Sequence, residues 1–163
     1  MVRPGCKDFL KDVSEYYEVA VFTAGLQYYA DSILDDLDPD RVLIKHRLYR
    51  GQCTYENDIY VKDLSKLGRP LNRTVIVDNT PDNFKLHRQN GIFISSWYGN
   101  KEDSALPALA KMLIRIAKQK PVDIRCGLKR YQEEVMSKAC RGCGNRLMQY
   151  KNSMSSISNP NSP

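Results

Sequence analysis

Apolar side chains recur at three- and four-residue steps from Cys6 to Tyr16, with Phe9, Leu10, Val13 and Tyr16/Tyr17 on one stripe. This spacing predicts an amphipathic helix that opens after the Arg3-Pro4-Gly5 turn. Val19-Ala20-Val21-Phe22 then reads as a short strand ending at Thr23-Ala24-Gly25, and Leu26, Tyr29, Ile33 and Leu37 form the stripe of a second helix closed by Pro39. Between Val42 and Val61 apolar and polar positions alternate around Gly51 and Asn57-Asp58, the pattern of a small antiparallel hairpin. Thr74-Val75-Ile76-Val77 does not alternate, which predicts a strand buried on both faces of a parallel sheet. A short helical segment around Phe84 to Arg88, a buried strand at Gly91-Ile92-Phe93-Ile94, and a helix over 103–118 with Leu106, Leu109, Leu113 and Ile116/Ala117 on one face complete the series. Beyond Pro121, Ile124, Leu128, Tyr131 and Val135 can line one more helix, and Asn152 to Pro163 has the composition of a disordered tail.

This order predicts an α/β fold, a doubly wound parallel sheet with a small β-hairpin insertion, in which ligands bind beyond the carboxyl ends of the strands. The rule selects Thr23 after the first strand and Asp78-Asn79 after the Thr74–Val77 strand, with Lys62 after the hairpin as a possible cation at the same rim. A hydroxyl, a lysine and a carboxylate–amide pair suit a phosphoryl group and Mg²⁺: donors neutralise phosphoryl oxygens, and hard oxygen ligands hold the metal. Each feature alone also fits a helix cap, a surface lysine or a turn.

Composition narrows the class. Hydrophobic residues make up 42% and charged residues 27% of the 163, and no apolar run approaches the roughly 18 residues of a membrane span. The N-terminus has neither a secretory nor a transit pattern, and five cysteines form an odd set without disulfide-scaffold density, so nucleus or cytoplasm is expected. Residues 119–163 hold eight Lys/Arg against three Asp/Glu, so most of the +6 net charge belongs to a basic extension. A solvated face is its ordinary reading; an acidic partner is the alternative, and nucleic acid is not expected. Cys126, Cys140 and Cys143 fall one ligand short of a structural zinc set and are expected as free thiols.

Four segments, Arg3-Pro4-Gly5, Val21-Phe22-Thr23-Ala24, Tyr60-Val61-Lys62-Asp63-Leu64-Ser65-Lys66-Leu67-Gly68-Arg69 and Ile76-Val77-Asp78-Asn79-Thr80-Pro81, followed by Ser96-Trp97-Tyr98, resemble the successive motifs of one family. It comprises the small phosphatases of the RNA polymerase II C-terminal domain and the related Dullard phosphatases, of FCP1-homology, NLI-interacting-factor-like type. The likeness runs from about Val2 to Ile116. The mitochondrial import translocase subunit of the same superfamily is a poorer match, because Asp78-Asn79-Thr80-Pro81 follows the phosphatase pattern.

The resemblance implies a haloacid-dehalogenase-like fold and a Mg²⁺-dependent phosphoserine/phosphothreonine protein phosphatase, a hydrolase working through an aspartyl-phosphate. By it, Thr23 would hydrogen-bond phosphoryl oxygens, Lys62 would bridge phosphate and nucleophile, Asn79 would ligate Mg²⁺ and Asp78 would order the metal shell. Leu26, Tyr29 and Arg50 match positions that meet the substrate peptide.

The family carries an Asp-x-Asp-x-Thr nucleophile strand ahead of the Arg-Pro-Gly turn, at which this sequence begins. Asp36-Leu37-Asp38-Pro39-Asp40 does not replace it, because no buried strand precedes it. The expectation is a truncated phosphatase domain over 1–118, lacking its first strand and inactive alone, followed by a basic helical extension and tail over 119–163. The alternatives are a catalytically dead pseudophosphatase that binds phosphopeptides or proteins, and a fragment without function of its own.

Overall fold

The structure is a computed structural model that describes residues 1–142. Helix α1 (Cys6–Ser14) starts where Gly5 takes φ +72°, a left-handed conformation that glycine adopts without the penalty a side chain would bring. Its buried residues are Leu10 and Val13, three apart on one face. Strand β1 (Val19–Phe22) follows, then α2 (Gln27–Leu37) and β2 (Ile44–Leu48).

Strand β2 departs from the expected hairpin. It lies parallel to β1, with Val19 opposite Ile44 and Phe22 opposite Leu48, and α2 forms the crossover between them. Alternation marks a half-buried strand but does not name its partner, and a parallel partner needs a long connection of the kind α2 provides. The antiparallel hairpin is confined to β3 (Thr54–Glu56) and β4 (Ile59–Val61), with Tyr55 opposite Tyr60. Asn57 and Asp58 turn it at φ +50° and +61°, the paired positive values that match the twist of a two-residue hairpin.

Strands β5 (Ile76–Asp78) and β6 (Gly91–Phe93) are also parallel to each other. The segment between them, Pro81–Asn90, is a run of 3₁₀ turns interrupted at Phe84 and His87 rather than the expected short helix. The Asn83 carbonyl accepts from the Lys62 N–H at 2.6 Å, tying this segment to the end of β4. Two short 3₁₀ segments, Leu64–Leu67 and Leu71–Arg73, lead from the hairpin to β5.

Alternate residues of β5 and the residue before it enter different clusters. Val75 and Val77 pack with Ile92 and Ile94 against α3 (Ala105–Lys118), while Ile76 packs with Leu64 and Phe84. Burial on both faces is therefore real, as the unbroken apolar run predicts. On α3, Leu109, Met112, Leu113 and Ile116 are buried at the spacing of an amphipathic helix, each worth roughly 1.5–3 kcal/mol of apolar transfer. The core continues past residue 118: Ile124 and Leu128 of α4 (Ile124–Gly142) are buried in the same cluster as Val13 and Ile116. Cys143 and the Asn152–Pro163 tail, and with them the expectations for the cysteine pair and the tail, lie outside the described residues.

The sheet falls into separate hydrogen-bonded pairs. Strand β1 pairs with β2 and β5 with β6, and no ladder joins β1 to β5 among the described residues. Both nonetheless share a core, since Val19 packs against the same cluster as Val75 and Val77.

Candidate active site

The carboxyl ends of β1 and β5 and the end of β4 carry the polar residues. Lys62, directly after β4, is 8% exposed and Asp78, ending β5, is 5% exposed; Lys62 Nζ donates to Asp78 Oδ2. Two ions taken out of water need each other and further hydrogen bonds to offset desolvation. Asp78 has them: its Oδ1 accepts from the Thr80 N–H at 2.8 Å and from Asn83 Nδ2 at 3.2 Å. With both oxygens engaged, Asp78 is built to hold Lys62 and its own loop in place.

Asn79 is exposed beside this pair, and its Nδ2 donates to Ser96 Oγ at 2.9 Å. Fixing the amide nitrogen leaves Asn79 Oδ1 as a hard oxygen donor available to a cation. The Ile94 N–H donates to the Asp78 carbonyl at 3.1 Å, so the segment after β6 runs alongside. Arg3 closes the far wall. Its Nε and Nη2 grip both oxygens of Asp103 at 2.8 Å, and Nη1 donates to the Ser95 carbonyl at 2.6 Å. This fork holds the Asp103 carboxyl below its ordinary range through the guanidinium hydrogen bond. Arg3, Lys62, Asp78, Asn79, Ser96 and Tyr98 are among the residues lining a cleft of about 450 Å³.

Thr23 stands at the end of β1. Its N–H donates to the Leu48 carbonyl at 2.9 Å, and its Oγ1 accepts from the Gly25 N–H at 3.0 Å. The hydroxyl proton is thereby left to donate elsewhere. Arg50 braces this loop twice, through its N–H to the Gly25 carbonyl at 3.1 Å and its Nε to the Ala24 carbonyl at 2.7 Å. Cys53 sits between the two halves of the rim: burial pushes its thiol pKa up, against the charges of Lys62 and Arg50. Leu26 and Tyr29, at the start of α2, are 45% and 63% exposed.

The structure thus gathers Lys62, Asp78 and Asn79 in one cleft and sets Thr23, on the loop after β1, beside Arg50, in the turn after β2; no hydrogen bond joins Thr23 to Lys62 among the described residues. The dismissed Asp36–Asp40 run is away from the rim, where buried Asp38 accepts the N–H groups of Val42, Leu43 and Ile44 at 2.8–3.1 Å and shapes the turn into β2. Sequence reasoning missed Arg3 as a wall of the cleft, Asn83 as a support of Asp78, and Ser96 as the partner of Asn79. Ser96 had a signal, since it opens the Ser96-Trp97-Tyr98 motif.

Comparison with known proteins then settles the family. The profile of the NLI interacting factor-like phosphatases matches residues 1–125. The chain belongs to this family. It is similar to a probable C-terminal domain small phosphatase of Dictyostelium discoideum, 46% identical over 120 residues that make up 74% of this chain and 39% of that protein. A CTD nuclear envelope phosphatase 1B of Danio rerio is 40% identical over 128 residues, 78% of this chain and 51% of that one. The mitochondrial import inner membrane translocase subunit TIM50 of Kluyveromyces lactis is also 37% identical over 131 residues, 80% of this chain and 27% of that protein. The chain therefore spans about half of these relatives' length at most, 51% of one and 39% and 27% of the other two. Among solved structures, the fission yeast RNA polymerase II CTD phosphatase Fcp1 bound to beryllium fluoride superposes with a TM-score of 0.53 at 19% identity, over 96% of this chain and 46% of that one. That likeness supports the haloacid-dehalogenase-like α/β fold. No described helix is long and apolar enough to cross a membrane.

Proposed function

We propose that this chain carries the phosphate-binding half of a Mg²⁺-dependent phosphoserine/phosphothreonine protein phosphatase site, acting in the nucleus or cytoplasm. The observation that carries the reading is the nearly buried Lys62–Asp78 ion pair at the rim of the parallel strands, beside the Asn79 amide. A buried ammonium held by one carboxylate can turn its remaining protons to phosphoryl oxygens, where a point cation counters the charge that phosphoryl transfer must accommodate. Thr23, its Oγ1 already accepting from Gly25, donates its hydroxyl proton to a second oxygen.

The donor chemistry fits a cation in part. Asn79 Oδ1 is a suitable Mg²⁺ ligand, Asp78 supports it from behind, and no cluster of three or more His, Cys, Asp or Glu side chains capable of holding a metal occurs among the described residues. Bound Mg²⁺ would neutralise phosphate charge beside Asn79. Among the described residues β1 and β5 each pair on one side only, and a further parallel strand between them ending in Asp-x-Asp-x-Thr, as the family resemblance implies, would bring the nucleophile to this rim. By that resemblance the first carboxylate of such a strand would attack phosphorus, the substrate hydroxyl would leave with a proton from the second, and water would later cleave the aspartyl-phosphate. Lys62 and Thr23 orient the group throughout; neither replaces the carboxylate.

The test is turnover of a phosphoserine peptide. The chain as given should give no Mg²⁺-dependent release of phosphate, and the same chain preceded by such a strand should give it. Activity of the unmodified chain that vanishes with Asp78→Asn would overturn the assignment of Asp78 as a support.

A further inference from the structure

Arg50 is held on three sides, and none of its holders is an acid. Its Nε donates to the Ala24 carbonyl, its backbone N–H to the Gly25 carbonyl, and its guanidinium carbon lies 5.0 Å from the centre of the Tyr60 ring. No carboxylate pairs with it among the described residues. A guanidinium within about 6 Å of an aromatic face is drawn to the ring quadrupole and keeps its remaining N–H donors for other partners.

The platform beneath it is itself built. Asn57 and Asp58 set the two-residue turn, and the turn sets the register that puts Tyr55 opposite Tyr60. The two rings sit 4.8 Å apart, and Tyr55 Oη donates to Asp58 Oδ1 at 2.7 Å, which pins the outer ring to the turn. Turn, ring pair and cation form one chain of support, ending at the loop that carries Thr23.

We propose that Tyr60 is a positioning residue for substrate recognition: its ring, backed by Tyr55, fixes the Arg50 guanidinium at the rim, ready for a carbonyl or anionic group of a bound phosphopeptide. The role rests on the phosphopeptide reading given above for Arg50. In this role Tyr60 acts through Arg50 alone.

Two measurements on the full chain separate this inference from the reading beneath it. By NMR, the Arg50 Nε–H should resonate with a ring-current shift and exchange slowly; Tyr60→Leu should remove the shift and speed exchange, and Tyr60→Phe should keep both. In titrations with a phosphoserine peptide and, separately, inorganic phosphate, Tyr60→Leu should weaken the peptide about two- to fivefold and leave phosphate unchanged. Tyr60→Phe should match the parent, and adding Tyr60→Leu to Arg50→Ala should cost nothing further. Additive losses, or equal loss of peptide and phosphate, would overturn the positioning role. If the parent binds no peptide while the Arg50 signal still answers to Tyr60, the phosphopeptide reading fails and the support by Tyr60 stands. If peptide binds and Tyr60→Leu alters neither measurement, the reverse holds.

Discussion

Replacing Lys62 with Met keeps the length of the stem and deletes the charge. It leaves Asp78, whose side chain is 3% exposed, as a carboxylate without its cation. Breaking a buried pair from one side costs about 3–5 kcal/mol. The lower end applies here, because the Thr80 N–H and Asn83 Nδ2 still donate to Asp78 Oδ1, and hydrogen bonds to a charged acceptor contribute about 1.5–3 kcal/mol each. A loss of about 3 kcal/mol is expected. With a urea slope on the order of 1–3 kcal/mol/M, the midpoint should fall by roughly 1–3 M. The assay is urea unfolding followed by Trp97 fluorescence and far-UV circular dichroism at pH 7, on Lys62→Met, Asp78→Asn and the double variant. Because the two residues share one interaction, the double variant should be less destabilised than the two singles combined, by about 1–3 kcal/mol. A Lys62→Met protein within about 0.5 kcal/mol of the parent, or strict additivity, would show that the pair is solvated and refute the buried-pair argument.

Asp63 is held at about 2 by the Ser65 hydroxyl, His87 and the Ser65 N–H. A folded value below the unfolded one gives stability that is complete above about pH 4 and is lost as pH falls towards 2; the full shift corresponds to about 2.4 kcal/mol. Contact with solvent reduces it to about 1 kcal/mol, so Asp63→Asn should flatten the pH dependence of unfolding between pH 4 and 2 by that amount. At Gly91 an added Cβ would stand 2.0 Å from Phe84 Cε2, and the Phe84 ring is buried, so Gly91→Ala should cost at least about 1–3 kcal/mol; an unchanged melting temperature would disprove the contact. Arg3→Lys should lose the two-pronged grip on Asp103 and lower stability nearly as much as Arg3→Ala, whereas equal stability of Arg3→Lys and the parent would show that charge alone suffices.

The sequence by itself determined the periodic elements and the chemistry at their ends. The 3.6-residue stripes of α1 and α3 and the unbroken Val75-Ile76-Val77 run follow from local burial, whereas on α2 the buried residue is Leu34, and Leu26 and Tyr29 of the expected stripe are exposed. The rule that ligands gather beyond strand carboxyl ends singles out Thr23 and Asp78-Asn79 as candidates, with Lys62 after the hairpin beside them, and the fold brings Lys62, Asp78 and Asn79 into one cleft. Pairing was not legible. Ile44–Leu48 alternates in a way that suits an antiparallel hairpin or a parallel partner equally, and the choice of β1 was made by the α2 crossover and by Ile44 packing with Leu10 and Leu34. The supports of the site were hidden for the same reason. Ser96 and Arg3 lie in recognisable motifs but reach their partners across 17 and 100 residues of chain, and periodicity records neither these contacts nor the Asn83–Asp78 bond five residues apart. Ser95 and Asp103 stand close enough for the Arg3 fork only because β6 and α3 carry them back to the turn before α1. Long-range hydrogen bonds form after the strands are placed, and their geometry exists only in the folded chain.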